Sequence, residues 1–474
     1  MGPAMTLIEP RPIPSLSSIR RAHFIGIGGA GMSGVASAFR ERGIEVSGCD
    51  QVDSETSEAL RNQGIRVRLG HDSDHLGDVD TIVVSTAIQP DNPELVEAGR
   101  RGLRVLHRSL ALASLMPGRQ VVAVAGTHGK TTTTAMSVVG LQQAGLDPSY
   151  IIGGTLMDTG SGAHTGASPQ FVVEADESDG SFRQYPATIA VITGIDSRAD
   201  HLDNWGTVEA YYRGFEQFAT NPGVSAVIVN ADDPLSVRLG ATLSANGARV
   251  LRFGQSDSAD VRLIDMTLSS DGSRAGFQVG QWSGELSWSL LGRHNFYNAA
   301  AALGVAEALG VDRKVFLKGL TTFQGTKRRF ETIGSAHGVT VVDDYAHHPG
   351  EVDATIASAR QKAEQARIIV CFQPHLYTRT RDLAADFGQA LARADEVVVL
   401  DVYAAREEPI PGITGESIAQ AVHNHGGLVH YVPELEPAVD VLVRLARPGD
   451  LILTVGAGSV TTLAEKIVAG LERL

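Results

Sequence analysis

The sequence predicts an α/β protein built from three consecutive domains. Short apolar runs, each long enough for a buried strand, alternate with helix-like stretches along most of the chain. Two glycine-rich loops each follow a predicted strand and precede a predicted helix, as in parallel α/β sheets. The length of 474 residues suits two to four domains. We place the domains at residues 22–116, 119–325 and 326–474, after a tail at residues 1–21 that we expect to be disordered.

The first segment shows a β-α-β alternation, which predicts a parallel sheet covered by helices. Its strands are "HFIGIG", "IEVSGCD" and "TIVVSTAI", and "MSGVASAFRERG" is a helix that ends at Gly43. The loop "GIGGAGMSG" matches G-x-G-x-x-G at Gly26, Gly28 and Gly31, with Asp50 at the end of the next strand. This pattern is typical of a Rossmann-like domain that binds a pyrophosphate at a helix N-terminus. NAD is the literal interpretation, but any nucleoside diphosphate satisfies the same physics.

The second segment opens with the strand "QVVAVAG", the loop "GTHGKTT" and a helix over residues 130–145. A phosphate loop needs glycines whose amides face the anion, a lysine for the outer phosphates and a hydroxyl for Mg²⁺. Gly126, Gly129, Lys130 and Thr131 meet these needs. The segment is therefore predicted to be a P-loop ATPase domain that binds ATP and Mg²⁺. Its later part, at residues 250–291, has the pattern of short antiparallel strands and precedes the helix "NAAAALGVAEALG".

Acidic residues follow a strand of this second segment. Glu174 ends "FVVEAD", and three more carboxylates come directly after it, while His201 follows the strand "IAVITGI". Carboxylates at the ends of parallel strands converge on one edge, where they can hold Mg²⁺. Glu174 is the preferred metal ligand, because the apolar strand ahead of it would otherwise bury its charge unpaired.

The third segment has the strands "VTVVDDY", "RIIVCFQPH", "DEVVVLDVY" and "DLILTVGAG", separated by helical stretches. It is predicted to be a second Rossmann-like domain. Positive charge clusters in "KRRF" at residues 327–330, near the predicted boundary. An arginine there can reach the nucleotide when the domains close, although a solvated basic linker fits the pattern equally well.

Bulk properties narrow the class of protein further. The formal net charge of −14 argues against a nucleic-acid partner. No apolar run near the N-terminus is long enough for a signal peptide or a membrane helix. Two cysteines, far apart and without metal-ligand spacing, suit a reducing compartment. We therefore expect a cytoplasmic enzyme without a membrane partner, as a monomer or a homodimer.

Taken together, the motifs resemble the Mur ligase family of peptidoglycan synthesis. The resemblance runs from residue 23 to about residue 462 and is carried by "HFIGIGGAGMSG", "GTHGKTTT", "EADESDGSF", "ADHLDNW", "GRHNFYNAAAA", "KRRFE", "DDYAHHP" and "FQPHLYTRTRDL". The form "GIGGAGMSG" is similar to that of the alanine-adding branch. The stretch "GIDSRADH" departs from the commoner "NIEADH", which leaves the role of Asp196 open.

The resemblance implies an ATP-dependent ligase that joins L-alanine to the carboxylate of UDP-N-acetylmuramate through an acyl phosphate. The implied catalytic residues are Lys130, Glu174, His201 and Arg328, and the implied Mg²⁺ ligands are Thr131, Glu174 and His201. The ATP-binding positions are Gly126, Thr127, His128, Gly129, Lys130, Thr131, Thr132, His294, Asn295, Asn298, Arg328 and Asp344. The UDP-sugar positions are Gly28, Gly29, Gly31, Asp50, His71, Ser85, Thr86 and Arg108. The amino-acid positions are Tyr345, His348, Arg379 and Arg381.

Three other functions stay open at this point. An NAD-dependent oxidoreductase would use the first loop but leaves "GTHGKTTT" unexplained. A non-catalytic nucleotide sensor would hydrolyse ATP without any dependence on an amino acid. A ligase that attaches a preformed peptide to the same sugar is the nearest alternative within the family.

Overall fold

The strands of the described residues form three sheets, and helices lie between the strands along the chain. The computed structural model describes residues 7–196, 202–405 and 407–474. Contacts divide the chain into two compact units. The first comprises Met1–Ile264, Gly276–Leu286 and Tyr297–Phe323, and the second comprises Asp265–Ala275, Ser287–Phe296 and Gln324–Leu474. The predicted α/β class is confirmed.

The first sheet has five parallel strands in the order β3-β2-β1-β4-β5. Its elements are β1 (Arg21–Ile25), α1 (Ala30–Glu41), β2 (Glu45–Asp50), α2 (Glu55–Asn62), β3 (Arg66–Leu69), β4 (Thr81–Val84), α3 (Pro93–Arg100), β5 (Arg104–His107) and α4 (Arg108–Ala113). The predicted strands are β1, β2 and β4. The edge strands β3 and β5 were not predicted. They are largely exposed and contain arginines, so they lack the continuous apolar run that is typical of a buried strand.

The second sheet has ten strands in the order β15-β14-β13-β12-β11-β10-β6-β9-β7-β8. Its strands are β6 (Gln120–Ala125), β7 (Ser149–Ile151), β8 (Ala163–His164), β9 (Gln170–Glu174), β10 (Ile189–Ile192), β11 (Ala226–Asn230), β12 (Val250–Gly254), β13 (Val261–Ser269), β14 (Gly272–Val279) and β15 (Trp282–Trp288). The helices along this segment are α5 (Lys130–Gln143), α6 (Leu202–Trp205), α7 (Val208–Ala219), α8 (Pro234–Ala245), α9 (Arg293–Leu309) and α10 (Arg313–Leu320).

Strand β6 pairs in parallel with β9 on one side and β10 on the other, so the loops that follow these three strands lie at one edge. Strands β13, β14 and β15 are neighbours joined by two-residue connections, which only antiparallel pairs allow. Strand β12 pairs with β13 in parallel. The antiparallel pattern predicted for this stretch therefore holds from β13 onward.

The third sheet has six strands in the order β16-β17-β21-β18-β19-β20. Its elements are β16 (Glu331–Ala336), β17 (Val339–Asp344), α11 (Pro349–Ala363), β18 (Ile368–Phe372), α12 (Tyr377–Leu391), β19 (Glu396–Val399), α13 (Gly415–Asn424), β20 (Val429–Tyr431), α14 (Leu435–Leu445), β21 (Leu451–Val455) and α15 (Thr462–Leu471). Only β16 runs antiparallel to its neighbour, β17. Alternate residues of the central strands enter two different cores, and this burial on both faces explains their continuous apolar runs.

Part of residues 1–21, which we expected to be a disordered tail, packs against the rest of the first unit. The amide of Ile8 donates to the carbonyl of Asp179 over 2.9 Å, and Arg183 Nη2 donates to the carbonyl of Ile8 over 2.9 Å. Leu7, Ile13 and Leu16 pack against the core of the first unit. Apolar side chains and backbone hydrogen bonds therefore order this stretch despite its prolines. Among the helices of the described chain, none is both long enough and apolar enough to cross a bilayer.

Candidate active site

The loop between β6 and α5 requires glycine at two positions. Gly126 has φ +131° and Gly129 has φ +81°, which are left-handed values that other residues rarely adopt. A Cβ at Gly126 would lie 2.1 Å from Oγ1 of Thr193, and one at Gly129 would lie 2.4 Å from Oδ1 of Asn298. The loop is thus closely packed between the end of β10 and helix α9. This packing brings Asn298, a predicted ATP contact, against the loop.

Lys130 begins helix α5 and is held by a buried carboxylate. Its Nζ lies 2.9 Å from Oε2 and 3.0 Å from Oε1 of Glu177, and it also donates to the carbonyls of Gly126 over 2.8 Å and Thr127 over 3.3 Å. The side chain of Glu177 is fully buried, whereas that of Lys130 is 15% exposed. Glu177 is a residue to which the sequence assigned no role. The one feature of the sequence that indicated Glu177 was its position in the acidic run that follows β9.

The charge of Lys130 depends on three carboxylates. Burial favours the neutral amine, but the negative charges of Glu177, Asp176 and Glu174 outweigh this effect and raise the pKa of Lys130. The ammonium is therefore the stable form. A preorganised cation at this position suits the stabilisation of charge on a phosphoryl group.

Glu174 is the last residue of β9 and lies opposite Val124 of β6 in the sheet register. Its Oε2 accepts a hydrogen bond from the amide of Gly153 over 2.8 Å. A Cβ at Gly153 would lie 2.7 Å from the same oxygen, so glycine is needed for this approach. Thr131 is buried in the first turn of α5. His201, the third predicted metal ligand, lies outside the described residues.

Asp196 lies beside the loop between β6 and α5, although its role could not be assigned from the sequence. Its Oδ2 is 3.7 Å from Nε2 of His128, and its amide donates to Oγ1 of Thr127 over 3.0 Å. The same Oγ1 is 3.1 Å from the hydroxyl of Tyr211. Two predicted ATP contacts, His128 and Thr127, are therefore connected to the end of β10. Thr132 lies half-buried on α5.

The first glycine loop lies at the point where strand order reverses, between β1 and β4, where parallel sheets bind ligands. Asp50, at the end of β2, accepts a hydrogen bond from the amide of Gly28 over 2.9 Å. Gly29 precedes α1 directly. Ser85 and Thr86 follow β4. The sheet thus brings these predicted UDP-sugar residues to one edge.

Arg108 lies between the first glycine loop and the acidic loop that follows β9. It begins α4, and its guanidinium passes over Gly31 so closely that a Cβ there would lie 1.9 Å from Nη1. On its other side, Nη2 is 3.8 Å from Oδ2 of Asp176, in the loop that follows β9. A side chain predicted to bind the UDP-sugar therefore contacts the acidic loop beside Lys130. Both glycine loops belong to the first compact unit.

We expect Gly31→Ala to displace the guanidinium of Arg108, because the new methyl group and Nη1 cannot occupy the same space. The Michaelis constant for the UDP-sugar should rise at least about tenfold, which corresponds to the loss of one hydrogen bond to a charged group. Gly34→Ala, one turn along α1, is the matched control, since its Cβ would make only ordinary contacts at 3.4 and 3.5 Å. Equal Michaelis constants for Gly31→Ala and Gly34→Ala would show that Arg108 is not part of the UDP-sugar site.

The second compact unit contains the other predicted contacts. His294 and Asn295 lie in the first turn of α9, and Nδ2 of Asn295 donates to the carbonyl of Leu291 over 2.7 Å. Arg328 donates from Nε to Oδ2 of Asp343 over 3.1 Å and from Nη2 to the carbonyl of Gly456 over 2.7 Å. The guanidinium of Arg328 is thus held at the ends of β17 and β21.

Asp344 ties the "KRRF" segment to strand β17. Its carboxylate accepts hydrogen bonds from the amides of Phe330 over 2.7 Å and Ala346 over 2.8 Å, and from Oγ1 of Thr355 over 3.0 Å. Burial raises its pKa. These contacts give Asp344 a structural role at the start of the third sheet, beside its predicted role toward ATP.

The predicted amino-acid residues differ in exposure. Arg379 is 8% exposed in the first turn of α12, and His348 is buried directly ahead of α11. Arg381 is half-exposed, and its guanidinium forms a two-point ion pair with the neighbouring Asp382 at 2.6 and 2.9 Å. Arg379 is therefore better placed than Arg381 for a buried carboxylate clamp.

A row of aromatic rings lies at the carboxyl ends of β17, β18 and β19. Tyr345 and His347 have ring centroids 5.2 Å apart, His347 and His375 are 5.9 Å apart, and His375 stacks on Tyr403 at 5.8 Å. Neither His375 nor Tyr403 was predicted as a site residue. In the sequence, these two residues are distinguished only by their position after an apolar strand, and many loop residues have such a position.

Three family models match the chain in succession. "Mur ligase family, catalytic domain" matches residues 21–120, "Mur ligase middle domain" matches residues 124–306, and "Mur ligase, glutamate ligase domain" matches residues 328–458. The first two matches each contain one of the glycine loops, and the third covers the strands of the third sheet. The chain belongs to the Mur ligase family, whose members are ATP-dependent ligases.

Similar proteins narrow the class further. The chain is 50% identical over 470 residues to UDP-N-acetylmuramate–L-alanine ligase of Cutibacterium acnes, and the match covers 99% of both chains. The crystal structure of UDP-N-acetylmuramate-alanine ligase from Thermotoga maritima superposes with a TM-score of 0.81 at 30% identity, covering 95% of this chain and 98% of that one. A murein peptide ligase from Psychrobacter arcticus gives 0.73 at 25% identity, covering 96% and 99%.

Proposed function

We propose that the chain joins L-alanine to the carboxylate of UDP-N-acetylmuramate with cleavage of ATP to ADP and phosphate, in the synthesis of peptidoglycan precursors. The observation that carries this proposal is Arg108, which lies over the first glycine loop and beside the acidic loop next to Lys130. A UDP-sugar held by the first loop would then present its far end to the phosphates held by the second. The high identity to an alanine-adding relative supports the choice of substrates.

Amide formation from a carboxylate requires a leaving group. In the proposed reaction the sugar carboxylate attacks the γ-phosphorus of ATP, which forms an acyl phosphate and releases ADP. The neutral amine of alanine then attacks the acyl carbon, and phosphate leaves from the tetrahedral intermediate. The ammonium of Lys130 stabilises the charge that develops on the transferred phosphoryl group.

Residues near the ATP loop fit Mg²⁺. The hydroxyl of Thr131 and the carboxylate of Glu174 are hard oxygen ligands, which Mg²⁺ prefers. These two residues would hold the ion, and His201 is the third candidate from the sequence. When bound, Mg²⁺ would neutralise part of the negative charge on the phosphates of ATP. The cluster of acids around Lys130 provides a matching negative environment.

Two rival functions make different predictions. An NAD-dependent oxidoreductase has no use for a second glycine loop that bears a lysine. A peptide-adding ligase would share the fold, but two solved peptide ligases are 25% and 30% identical to the chain, whereas the alanine-adding relative from Cutibacterium is 50% identical over 99% of both chains. We therefore expect alanine itself to be the acceptor.

Phosphate release from ATP, measured with UDP-N-acetylmuramate and each of the twenty amino acids in turn, tests the proposal. We expect release only when the UDP-sugar is present, and fastest release with L-alanine. Binding titrations with NADH and with UDP-N-acetylmuramate should show binding only of the latter. Release that is independent of any amino acid would favour a nucleotide sensor, and tight NADH binding would favour an oxidoreductase.

A further inference from the structure

The first sheet and the segments next to it contain a buried group of histidine, cysteine and glutamate side chains. Most of these side chains have no role in the proposed ligase reaction and do not belong to the glycine loops. We call this group the His23 cluster, after its innermost histidine. Its members come from β1, β2, the segment after β3 and the first turn of α3, namely His23, Cys49, His71, His75 and Glu94. The topology thus gathers five potential metal ligands from four separate chain segments.

Glu94 is the centre of the His23 cluster and is fully buried. Its Oε2 lies 2.8 Å from Sγ of Cys49 and 3.3 Å from Nδ1 of His71. Its Oε1 lies 2.8 Å from Nδ1 of His75 and 3.6 Å from Nε2 of His23. Sγ of Cys49 is also 3.1 Å from Nδ1 of His71. Ligand atoms of His23, Cys49 and Glu94 all lie within 4.8 Å of one another.

His23 shows that the group is incomplete as a hydrogen-bond network. Its ring is 1% exposed, and its Nδ1 is 2.9 Å from Oγ of Ser47. Its Nε2 is buried and makes no hydrogen bond among the described residues, yet it faces the carboxylate of Glu94. Where Nδ1 carries the ring proton and donates to Ser47, the lone pair of Nε2 faces the carboxylate, and a cation between the two groups stabilises the pair. The other neutral tautomer directs Nε2–H at Glu94 over 3.6 Å, which is too long for a hydrogen bond.

We infer that the His23 cluster binds one Zn²⁺ or a similar borderline-soft divalent ion through Nε2 of His23, Sγ of Cys49 and the carboxylate of Glu94. Imidazole, thiolate and carboxylate are the ligands that zinc takes in proteins. Two tetrahedral nitrogen or oxygen ligands about 2.0 Å from zinc lie roughly 3.3 Å apart, close to the separation of His23 and Glu94.

Metal binding changes the protonation of the His23 cluster in a defined way. The thiol of Cys49 loses its proton to solvent and becomes a thiolate, while Ser47 keeps Nδ1 of His23 hydrogen-bonded and its Nε2 lone pair free for the ion. Nδ1 of His75, at 2.8 Å from Glu94, orients the carboxylate from outside. Mg²⁺ needed for ATP does not compete, because it prefers an all-oxygen octahedral site.

Metal analysis of the full-length protein, purified without chelators, tests this inference. We expect about one zinc per chain, and after exchange for Co²⁺ we expect an absorption band from thiolate-to-cobalt charge transfer together with the visible bands of a tetrahedral ion. Cys49→Ser and His23→Gln should each lower the bound metal at least about tenfold. Circular dichroism checks that the variants are folded.

Cys371→Ser is the matched control, because Cys371 is also buried and free but lies in strand β18 of the third sheet. This variant should keep both the zinc and the thiolate band. Since the chain has two cysteines, the control assigns the band to Cys49 even if Cys49→Ser does not fold. Folded protein without bound metal and without a cobalt–thiolate band would overturn the inference and leave a proton between His23 and Glu94. Neither result depends on the proposed ligase activity.

Discussion

Lys130→Ala should lower the rate of ligation by at least about a hundredfold, because the reaction loses a preorganised cation at the transferred phosphoryl group. Binding of the UDP-sugar should change little, since its predicted contacts lie on the first sheet. The measurements are phosphate release with saturating substrates and a separate titration with the UDP-sugar. A variant that kept a tenth of the wild-type rate would show that the loop is not catalytic.

The same substitution should also destabilise the protein. Without Lys130 the fully buried carboxylate of Glu177 loses its ion-pair partner, which typically costs about 3 to 5 kcal/mol. Lys130→Ala combined with Glu177→Gln removes the unpaired charge and should recover most of the free energy of unfolding, measured with urea. The double variant should remain inactive. Recovery of activity with stability would assign Lys130 a structural role only.

Arg379→Lys should raise the Michaelis constant for alanine at least about tenfold and change that for ATP much less, because an ammonium cannot replace a two-point guanidinium clamp on a carboxylate. Arg381→Lys is the comparison, and we expect a smaller effect there, since its guanidinium is half-exposed and already paired with Asp382. Steady-state kinetics with each substrate varied in turn measures both constants. Equal changes in the constants for ATP and alanine would exclude Arg379 from the amino-acid site.

Much of this protein could be predicted from local sequence patterns. The apolar runs of β1, β6 and β18 are buried on both faces, so their identity as strands does not depend on distant residues. Gly126 and Gly129 have positive φ because the loop turns at these residues, and the spacing of the glycines in the sequence predicts this turn. The α/β class, the two glycine-rich turns and the family therefore followed from motifs that are short and contiguous.

The contacts that define the site could not be predicted in this way. Arg108 passes over Gly31, and Glu177 holds Lys130 across 47 positions of the chain, so these pairs exist only because sheet order brings them together. The edge strands β3 and β5, with mixed polar faces, carry too weak a periodicity to be recognised. Sequence determined the α/β class, the buried strands and the two glycine-rich turns, because these depend on local burial and backbone geometry. Tertiary structure alone decided which charges become partners, because a buried charge is stabilised by whatever group the fold places within a few ångströms of it.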